Sequence, residues 1–453
     1  MCVIIINSKE KTSVFKKVMF LILFLTIIQL TSVAQKTWNL SNCIDYALEN
    51  NIDLNKKINL VETQKINLME SKASLLPSLN LGSTVDLNYG RNIDGNTNAI
   101  TYDQTLRNSY WVNSSVNIFQ GLVKYNSVKF NNYLLSAKIE ETQVNKNVLI
   151  IKVLTYYYTV LYSIGLADVA KSQVDLSEMQ YQRMQKFVDV GKESPITVQE
   201  LKSQWAADKL SFTRTENNLS KALLDLKQLL RIDANQPFDI DTAIFTSIIV
   251  EPIPGVDSLF NKAVAVLPEI KQQQFLLNAS VKDLAIAKGN ISPRLYVSGG
   301  FSTGYFDGDT LAFNSQINNN QNQWINMGIT IPIFNQASVY SRIKRKKIAV
   351  KDRELDLQKQ RDDLYTEIWT AIDDLQSAEK EYLSSIELQG FSKLTLQNVT
   401  KRMDKGLAST TDFESAKQRF VSAQAGLLKS KLIYVMRSQM LQFYKTGNWN
   451  HLR

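Results

Sequence analysis

The stretch Leu79-Asn80-Leu81-Gly82-Ser83-Thr84-Val85-Asp86-Leu87-Asn88-Tyr89 changes character at almost every step. Leu79, Leu81, Val85, Leu87 and Tyr89 fall on one side, and Asn80, Gly82, Thr84, Asp86 and Asn88 on the other. A period of two is the mark of a β-strand with one apolar and one polar face. Three further stretches repeat it. Val112, Ser114, Val116 and Ile118 alternate with Asn113, Ser115 and Asn117. Leu295, Val297, Phe301 and Tyr305 alternate with Ser298, Gly300, Ser302 and Gly304. Ile325, Met327, Ile329, Ile331 and Ile333 alternate with Asn326, Gly328, Thr330 and Pro332.

A soluble antiparallel sheet resting on a core has the same alternation. Three features favour a membrane instead. The polar side is small and neutral, as suits a wet lumen, and each run is about 10 residues, the length of a tilted membrane strand. Tyr89, Tyr110, Trp111, Tyr305 and Trp324 are expected at strand ends, as an interfacial aromatic girdle. The polar loops 90–109 and 306–322 are expected to face solvent. Four strands cannot close a barrel, since small single-chain barrels start at about eight. An open edge in lipid leaves backbone polar groups unpaired, so copies of the chain must join edge to edge.

The rest of the chain reads as helix. Its eight prolines, at 77, 195, 237, 252, 254, 268, 293 and 332, all fall between helix-period segments. A proline inside a helix costs about 3 kcal/mol, so long proline-free stretches permit long helices. Two stand out, Leu122 to Val188 and Ala337 to Lys405, each on the order of 100 Å if continuous. Leu355, Leu364, Ile368, Ile372, Leu375 and Ala378 recur at helical spacings in the second, which predicts coiled-coil packing. Each long helix runs into a glycine turn and a second helix. The turns are Gly191-Lys192-Glu193-Ser194-Pro195 and Gly406-Leu407-Ala408-Ser409, followed by helices at Ile196–Arg231 and Thr410–Tyr444. Glycine past a helix end and serine before the next are C-cap and N-cap chemistry.

These hairpins belong to an internal repeat with a shift of about 215 residues, which lays Phe119 on Phe334 and Gly191 on Gly406. The expected organisation is a signal peptide over 1–34, a first repeat over 35–232, a linker over 233–256, a second repeat over 257–446 and a tail over 447–453. A short strand is expected in the linker near Ile244–Val250. Lys16-Lys17, the apolar run Val18–Leu30 and Ser32-Val33-Ala34 supply the charged region, core and cleavage site of the leader. A retained anchor is the alternative, though the run falls short of the roughly 20 residues a spanning helix needs. Beyond Gln35 no apolar run is long enough to predict a membrane-spanning helix.

Composition excludes most chemistry. The one histidine, His451, removes the usual acid–base, triad and metal arrangements, and no cofactor or metal site is expected. Cys43 is left without a partner once the leader carrying Cys2 is removed, and reads as a small buried apolar residue. The net charge of +9 forms no basic block, so nucleic acid is not an expected partner.

Two repeats, each with a strand pair, a long hairpin and a Gly-x-x-Ser/Thr-x-x-Asp turn, resemble the TolC-type outer-membrane efflux proteins over about 36–446. Lys405-Gly406-Leu407-Ala408-Ser409-Thr410-Thr411-Asp412 fits the pattern well, and Val190-Gly191-Lys192-Glu193-Ser194-Pro195-Ile196-Thr197 fits in part. The resemblance implies a mainly α protein with membrane β: a homotrimer in outer-membrane lipid whose chains each give four strands to a twelve-stranded barrel. Long helical coiled-coil hairpins would form a periplasmic tunnel. It implies a passive duct for small molecules or polypeptide, working with a periplasmic adaptor and an inner-membrane pump in efflux or type I secretion. Gly191, Ser194, Gly406, Ser409 and Thr410 would form the tips that meet the adaptor. Asp412 matches a gate aspartate, whereas Thr197 and Ser415 stand at positions where the family has gate acids, and Ala408 replaces a linking arginine. By its position alone, Asp412 is equally a helix-capping carboxylate. A coiled-coil scaffold without a pore is the alternative function. A periplasmic adaptor is another, although adaptors carry one hairpin flanked by β modules. Asp362-Asp363 and Asp373-Asp374 read as a solvated helix face, and an enzyme is not expected.

Overall fold

The computed structural model describes residues 37–93, 97–242 and 252–452. The expected leader and the expected strand near Ile244–Val250 lie outside these residues. The chain begins with β1 (Thr37–Trp38), α1 (Leu40–Asn50) and α2 (Ile52–Ala73), then the strands β2 (Ser78–Ile93) and β3 (Ile100–Gln120). The first hairpin is α3 (Val123–Asp189) and α4 (Pro195–Leu230). After β4 (Asp239–Ile240) come α5 (Val256–Val266), α6 (Pro268–Gly289), β5 (Arg294–Phe306), α7 (Phe313–Asn319) and β6 (Asn322–Thr330). The second hairpin is α8 (Ser338–Met403) and α9 (Thr410–Thr446), with a 3-10 turn at Asn450–Leu452.

The repeat is close to exact in length. Helices α1 and α5 have 11 residues each, α2 and α6 have 22, α3 and α8 have 67 and 66, and α4 and α9 have 36 and 37. Both long helices are entered through two successive left-handed residues, Gly121-Leu122 and Gln336-Ala337. There the chain turns from strand direction into the long helix. Gly121 is confined as well as left-handed, because a Cβ on it would sit 2.3 Å from the Gly289 carbonyl oxygen.

The main core is drawn from the middle of α3 together with α1, α4, α5, α8 and α9. It holds Cys43, Leu154, Tyr157, Leu161, Leu226, Ile368 and Phe443. The parallel pair β1–β4 closes over it, and the Tyr157 hydroxyl donates to the Asp241 carbonyl at 2.9 Å. Cys43 is fully buried as expected, and burial pushes its thiol up to about 12, which leaves it inert. Contrary to the expectation that no helix approaches a membrane span, one window of α3 is apolar and long enough. Half of it is buried in the protein, and α3 places Leu149, Ile150, Val153, Leu154, Val160 and Leu161 in this core.

The four-stranded sheet has the order β2-β3-β5-β6, antiparallel throughout, leaving β2 and β6 as its edges. Its strands run beyond the expected ten or so residues in the first repeat. β2 has 16 residues and β3 has 21, so most of the expected 90–109 loop is ladder, with Ile93 facing Ile100. Trp111 therefore lies inside β3 and does not open it. β6 stops at Thr330, and Ile331–Ile333, expected to continue the strand, lie past its end. Residues 306–322 are part helix. There α7 serves the edge of β5 left free above β6: the Phe306 N–H donates to Gln316 Oε1 at 2.8 Å, and Gln316 Nε2 donates back to the Phe306 carbonyl at 3.0 Å. A buried glutamine thus replaces two ladder bonds that would otherwise go unmade.

The register sorts the faces. Leu81 opposes Val112, Val112 opposes Phe301, Val297 opposes Met327 and Leu295 opposes Ile329, so the apolar positions form one continuous face. It is bare: Leu81 is 80% exposed and Ile325 87%. Asn80, Asn113, Ser115, Ser298 and Asn326 share the opposite face. The expected girdle divides between the two. Tyr89, Tyr110 and Tyr305 lie on the apolar face, whereas Trp111 and Trp324 lie on the polar one, opposite Gly82 and Gly300.

Candidate functional site at the hairpin tips

Both hairpins end in the same backbone motif. At the first tip, the Gly191 N–H donates to the Val188 carbonyl at 2.9 Å and the Lys192 N–H to the Phe187 carbonyl at 2.8 Å. At the second, Gly406 donates to Met403 at 3.0 Å and Leu407 to Arg402 at 2.8 Å. These paired bonds are a Schellman C-cap, which needs a left-handed residue, and both glycines have φ +72°. Ser194 and Ser409 then cap the returning helices as expected.

The caps themselves differ. Ser194 Oγ accepts from the Ile196 N–H at 3.3 Å, and Pro195 presets the first helical turn. Ser409 forms a reciprocal box: its Oγ accepts from the Asp412 N–H at 3.1 Å, while its own N–H donates to Asp412 Oδ2 at 3.0 Å. The Ser409 N–H and hydroxyl, with the Arg402 charge behind them, hold the Asp412 carboxyl below the usual aspartate range. Asp412 is exposed, and so is Ser415. Among the described residues, no side-chain hydrogen bond ties Thr197 or Ser415 to the other hairpin. Ser415 is thus at the surface and Thr197 half-buried, and neither is linked to Asp412.

What joins the hairpins is a set of contacts that sequence reading missed, most of them from residues it did not single out. Thr410, expected as a tip contact, donates from Oγ1 to Glu200 Oε2 at 2.8 Å. Arg183 pairs with Asp404 at 2.8 Å, bridging α3 to the end of α8. Met184, Val198, Leu201, Leu396, Met403, Phe413 and Ala416 form a small core behind these contacts. Lys417 adjoins it, fully buried, its ammonium 2.8 Å from Asp208 Oδ2, 2.7 Å from Glu414 Oε2 and 2.8 Å from Ser177 Oγ. Gln173 and Gln204 donate to Asp208 Oδ1 at 2.8 and 3.0 Å, and the Ser177 hydroxyl also bonds that carboxylate. A buried ion pair persists only when its remaining donors and acceptors are satisfied. Around Asp208 and Lys417 this is met from α3, α4 and α9 at once, whereas the Glu414 oxygens have the Lys417 charge beside them but no hydrogen bond. Burial raises the Glu414 carboxyl despite the adjacent Lys417.

The missed signal is visible in hindsight. Val198, Leu201, Trp205, Asp208 and Phe212 follow one helical stripe, as do Phe413, Ala416, Lys417 and Phe420. Each stripe carries a single charged residue, of opposite sign to the other. Reading the stripes separately hides a match that only the packing of α4 against α3 and α9 reveals.

The comparisons agree with this architecture. Among solved structures, the chain is similar to CusC, a transmembrane channel, at 17% identity over 90% of this chain and 92% of that one, with a TM-score of 0.79. It is similar to the CmeC outer membrane channel of Campylobacter jejuni at 16% identity over 90% and 86%, with a TM-score of 0.77. The MtrE outer membrane channel of Neisseria gonorrhoeae, in its open state, matches at 17% identity over 90% and 88%, with a TM-score of 0.74. At these identities the likeness is one of fold. No curated protein matches the sequence at a comparable level. The outer membrane efflux protein pattern matches residues 43–230 and 259–444, one stretch in each repeat. Two strand pairs, two long hairpins and that match over most of the length place the chain in the outer membrane efflux protein family.

Proposed function

We propose that three copies of the chain close their sheets into one twelve-stranded barrel, and that the assembly is the passive outer-membrane duct of a tripartite efflux or type I secretion system. The observation that carries this is the sheet itself: four strands, two open edges and a bare apolar face. In lipid the open edges must be paired, while the apolar face is satisfied as it stands.

The helices give independent support. α6 packs against both α3 and α8, whereas its repeat mate α2 packs against α3. The repeat calls for a second long helix beside α2, and α8 of an adjacent copy supplies it. Ile58, Leu60, Ile66 and Met69 of α2 are exposed and would be covered there. A scaffold without a pore leaves both the sheet and this helix face unexplained.

On this reading the tips meet a periplasmic adaptor, and through it an inner-membrane pump. Gly191 and Gly406 shape the tips, Ser194, Ser409 and Thr410 lie beside them, and Asp412 from each copy forms the charged ring of a gate. Thr197 and Ser415 contribute polar groups to that gate in place of acids. The Lys417–Asp208 node, the Arg183–Asp404 pair and the Thr410–Glu200 bond hold the two hairpins together.

Two measurements test the proposal. Purified protein added to planar bilayers is expected to give discrete conductance steps. A photo-crosslinker placed at Leu407 in cells is expected to capture a periplasmic protein carrying a helical hairpin. Absence of steps removes the duct, and capture of no such protein removes the adaptor docking.

A further inference from the structure

Four aromatic side chains break the small polar face of the sheet; Phe306 opposes Arg107, and the other three each stand directly opposite a glycine. Trp111 in β3 opposes Gly82 in β2, Trp324 in β6 opposes Gly300 in β5, and Tyr296 in β5 opposes Gly328 in β6. The rings occupy the space a side chain would take. A Cβ at Gly82 would sit 2.2 Å from Trp111 Cζ2, one at Gly300 2.8 Å from Trp324 Nε1 and 2.6 Å from Asn113 Oδ1, and one at Gly328 2.4 Å from Tyr296 Cζ. Such approaches mean that each ring is folded flat across its neighbouring strand. Directly opposed Cβ atoms are normally about 4.5–5.5 Å apart and stand side by side, so any other residue at these glycines forces the ring upright.

We infer that Gly82, Gly300 and Gly328 set the bore of the barrel by letting these three rings lie against the wall. The inference rests on the barrel reading, in which the polar face lines the lumen. An indole lying flat adds little to the wall's thickness, whereas one standing on end projects into the lumen by most of its length. Pore diameter is a direct determinant of what a water-filled channel passes. The three pairs occur at both β2–β3 and β5–β6, so in a closed ring every subunit contributes them around the circumference. These glycines are therefore specificity-determining positions for cargo size, acting through the rings they oppose.

The test reads the barrel independently of the tips, which would dominate a conductance measurement. Ser115 lies on the same face as Trp111, further towards the helical end of β3, and is exposed. Ser115→Cys is labelled in intact cells with a small maleimide and with maleimide-polyethylene glycols of increasing mass, added outside. Cys43 is fully buried and does not compete. With Gly82→Val added, labelling by the larger reagents is expected to slow several-fold while the small maleimide reacts as before. Trp111→Ala in the same chain should restore the rate. Unchanged rates with Gly82→Val, or no rescue by Trp111→Ala, overturn the inference. If Ser115→Cys with Gly82 intact resists even the small reagent, the face is not a lumen and the barrel reading itself fails. Loss of small-reagent labelling only with Gly82→Val marks a misfolded sheet, and Gly82→Ala, the smallest addition of a Cβ, then decides by the same size dependence and the same rescue.

Discussion

The two hairpin tips share a backbone and differ in chemistry. Each has glycine at φ +72°, the same pair of Schellman bonds and a serine N-cap. The first continues with proline and keeps Thr197 where the second has Asp412; the second encloses that aspartate in a capping box. The turn geometry is thus a requirement of the hairpin, met by glycine in both repeats. The capped carboxylate beyond it belongs to the second tip only. Between the tips lies a node that neither repeat contains alone, since Lys417 comes from the second hairpin and Asp208, Ser177 and Gln173 from the first.

The largest effect is expected at that node. Lys417→Met leaves the Asp208 carboxylate buried without its cation, at a cost of about 3–5 kcal/mol. The apparent Tm of the helical circular dichroism signal should fall clearly, and pairing the change with Asp208→Leu should recover much of the loss. A Tm unmoved by Lys417→Met would mean that the hairpins are joined by their apolar contacts alone.

Next come the turns. Gly191→Val and Gly406→Val each place a β-branched residue at a positive φ, at a cost of about 1–3 kcal/mol. A Cβ at either glycine meets nothing within 4 Å, so the penalty is one of backbone alone and should be equal at the two tips. Asparagine, which tolerates that conformation, should be accepted at both. Unequal losses in thermal unfolding would break the symmetry drawn here.

The caps should separate the tips. Ser409→Ala is expected to cost about 1 kcal/mol, with Ser194→Ala below it because Pro195 already fixes the first turn. Asp412→Ala should alter single-channel conductance or its block by divalent cations. Unchanged conductance and block would leave Asp412 as a cap only.

The smallest effect is in pH. Asp412 is held below its ordinary value of 3.8, so it stays charged as acidity rises through that value. Its contribution to stability is present above 3.8 and is lost as pH falls through the lower folded value. Glu414 behaves in the opposite sense: its carboxyl is raised above 4.5 and takes up a proton earlier on acidification. Cation block at the tips should therefore survive to below pH 3.8, and block that titrates above 4.5 would point to another group.

Much of this architecture is legible in the residues. Period-two runs locate the sheet, and proline-free stretches and the Gly-to-Ser turns locate the long helices and both tips to within a residue or two. The ends of the strands are less legible. Arg91 and Asn92 are polar and Gly90 has a positive φ, yet all three lie in the ladder, because pairing with β3 outweighs local preference. The glycines on the polar face read simply as small residues suited to a lumen. Their aromatic partners lie on the neighbouring strand, across a connection, and pairing becomes visible only with the register. The Lys417 node was hidden for the same reason: charges on two helical stripes become a pair only when the hairpins are packed together.

The mass of the intact assembly tests the closed ring most directly. Native mass spectrometry of protein extracted from outer membranes in mild detergent is expected to show three chains and no stable single one. A single chain that stays folded and dispersed without detergent would contradict the barrel, because its open strand edges and bare apolar face would then have a home in water.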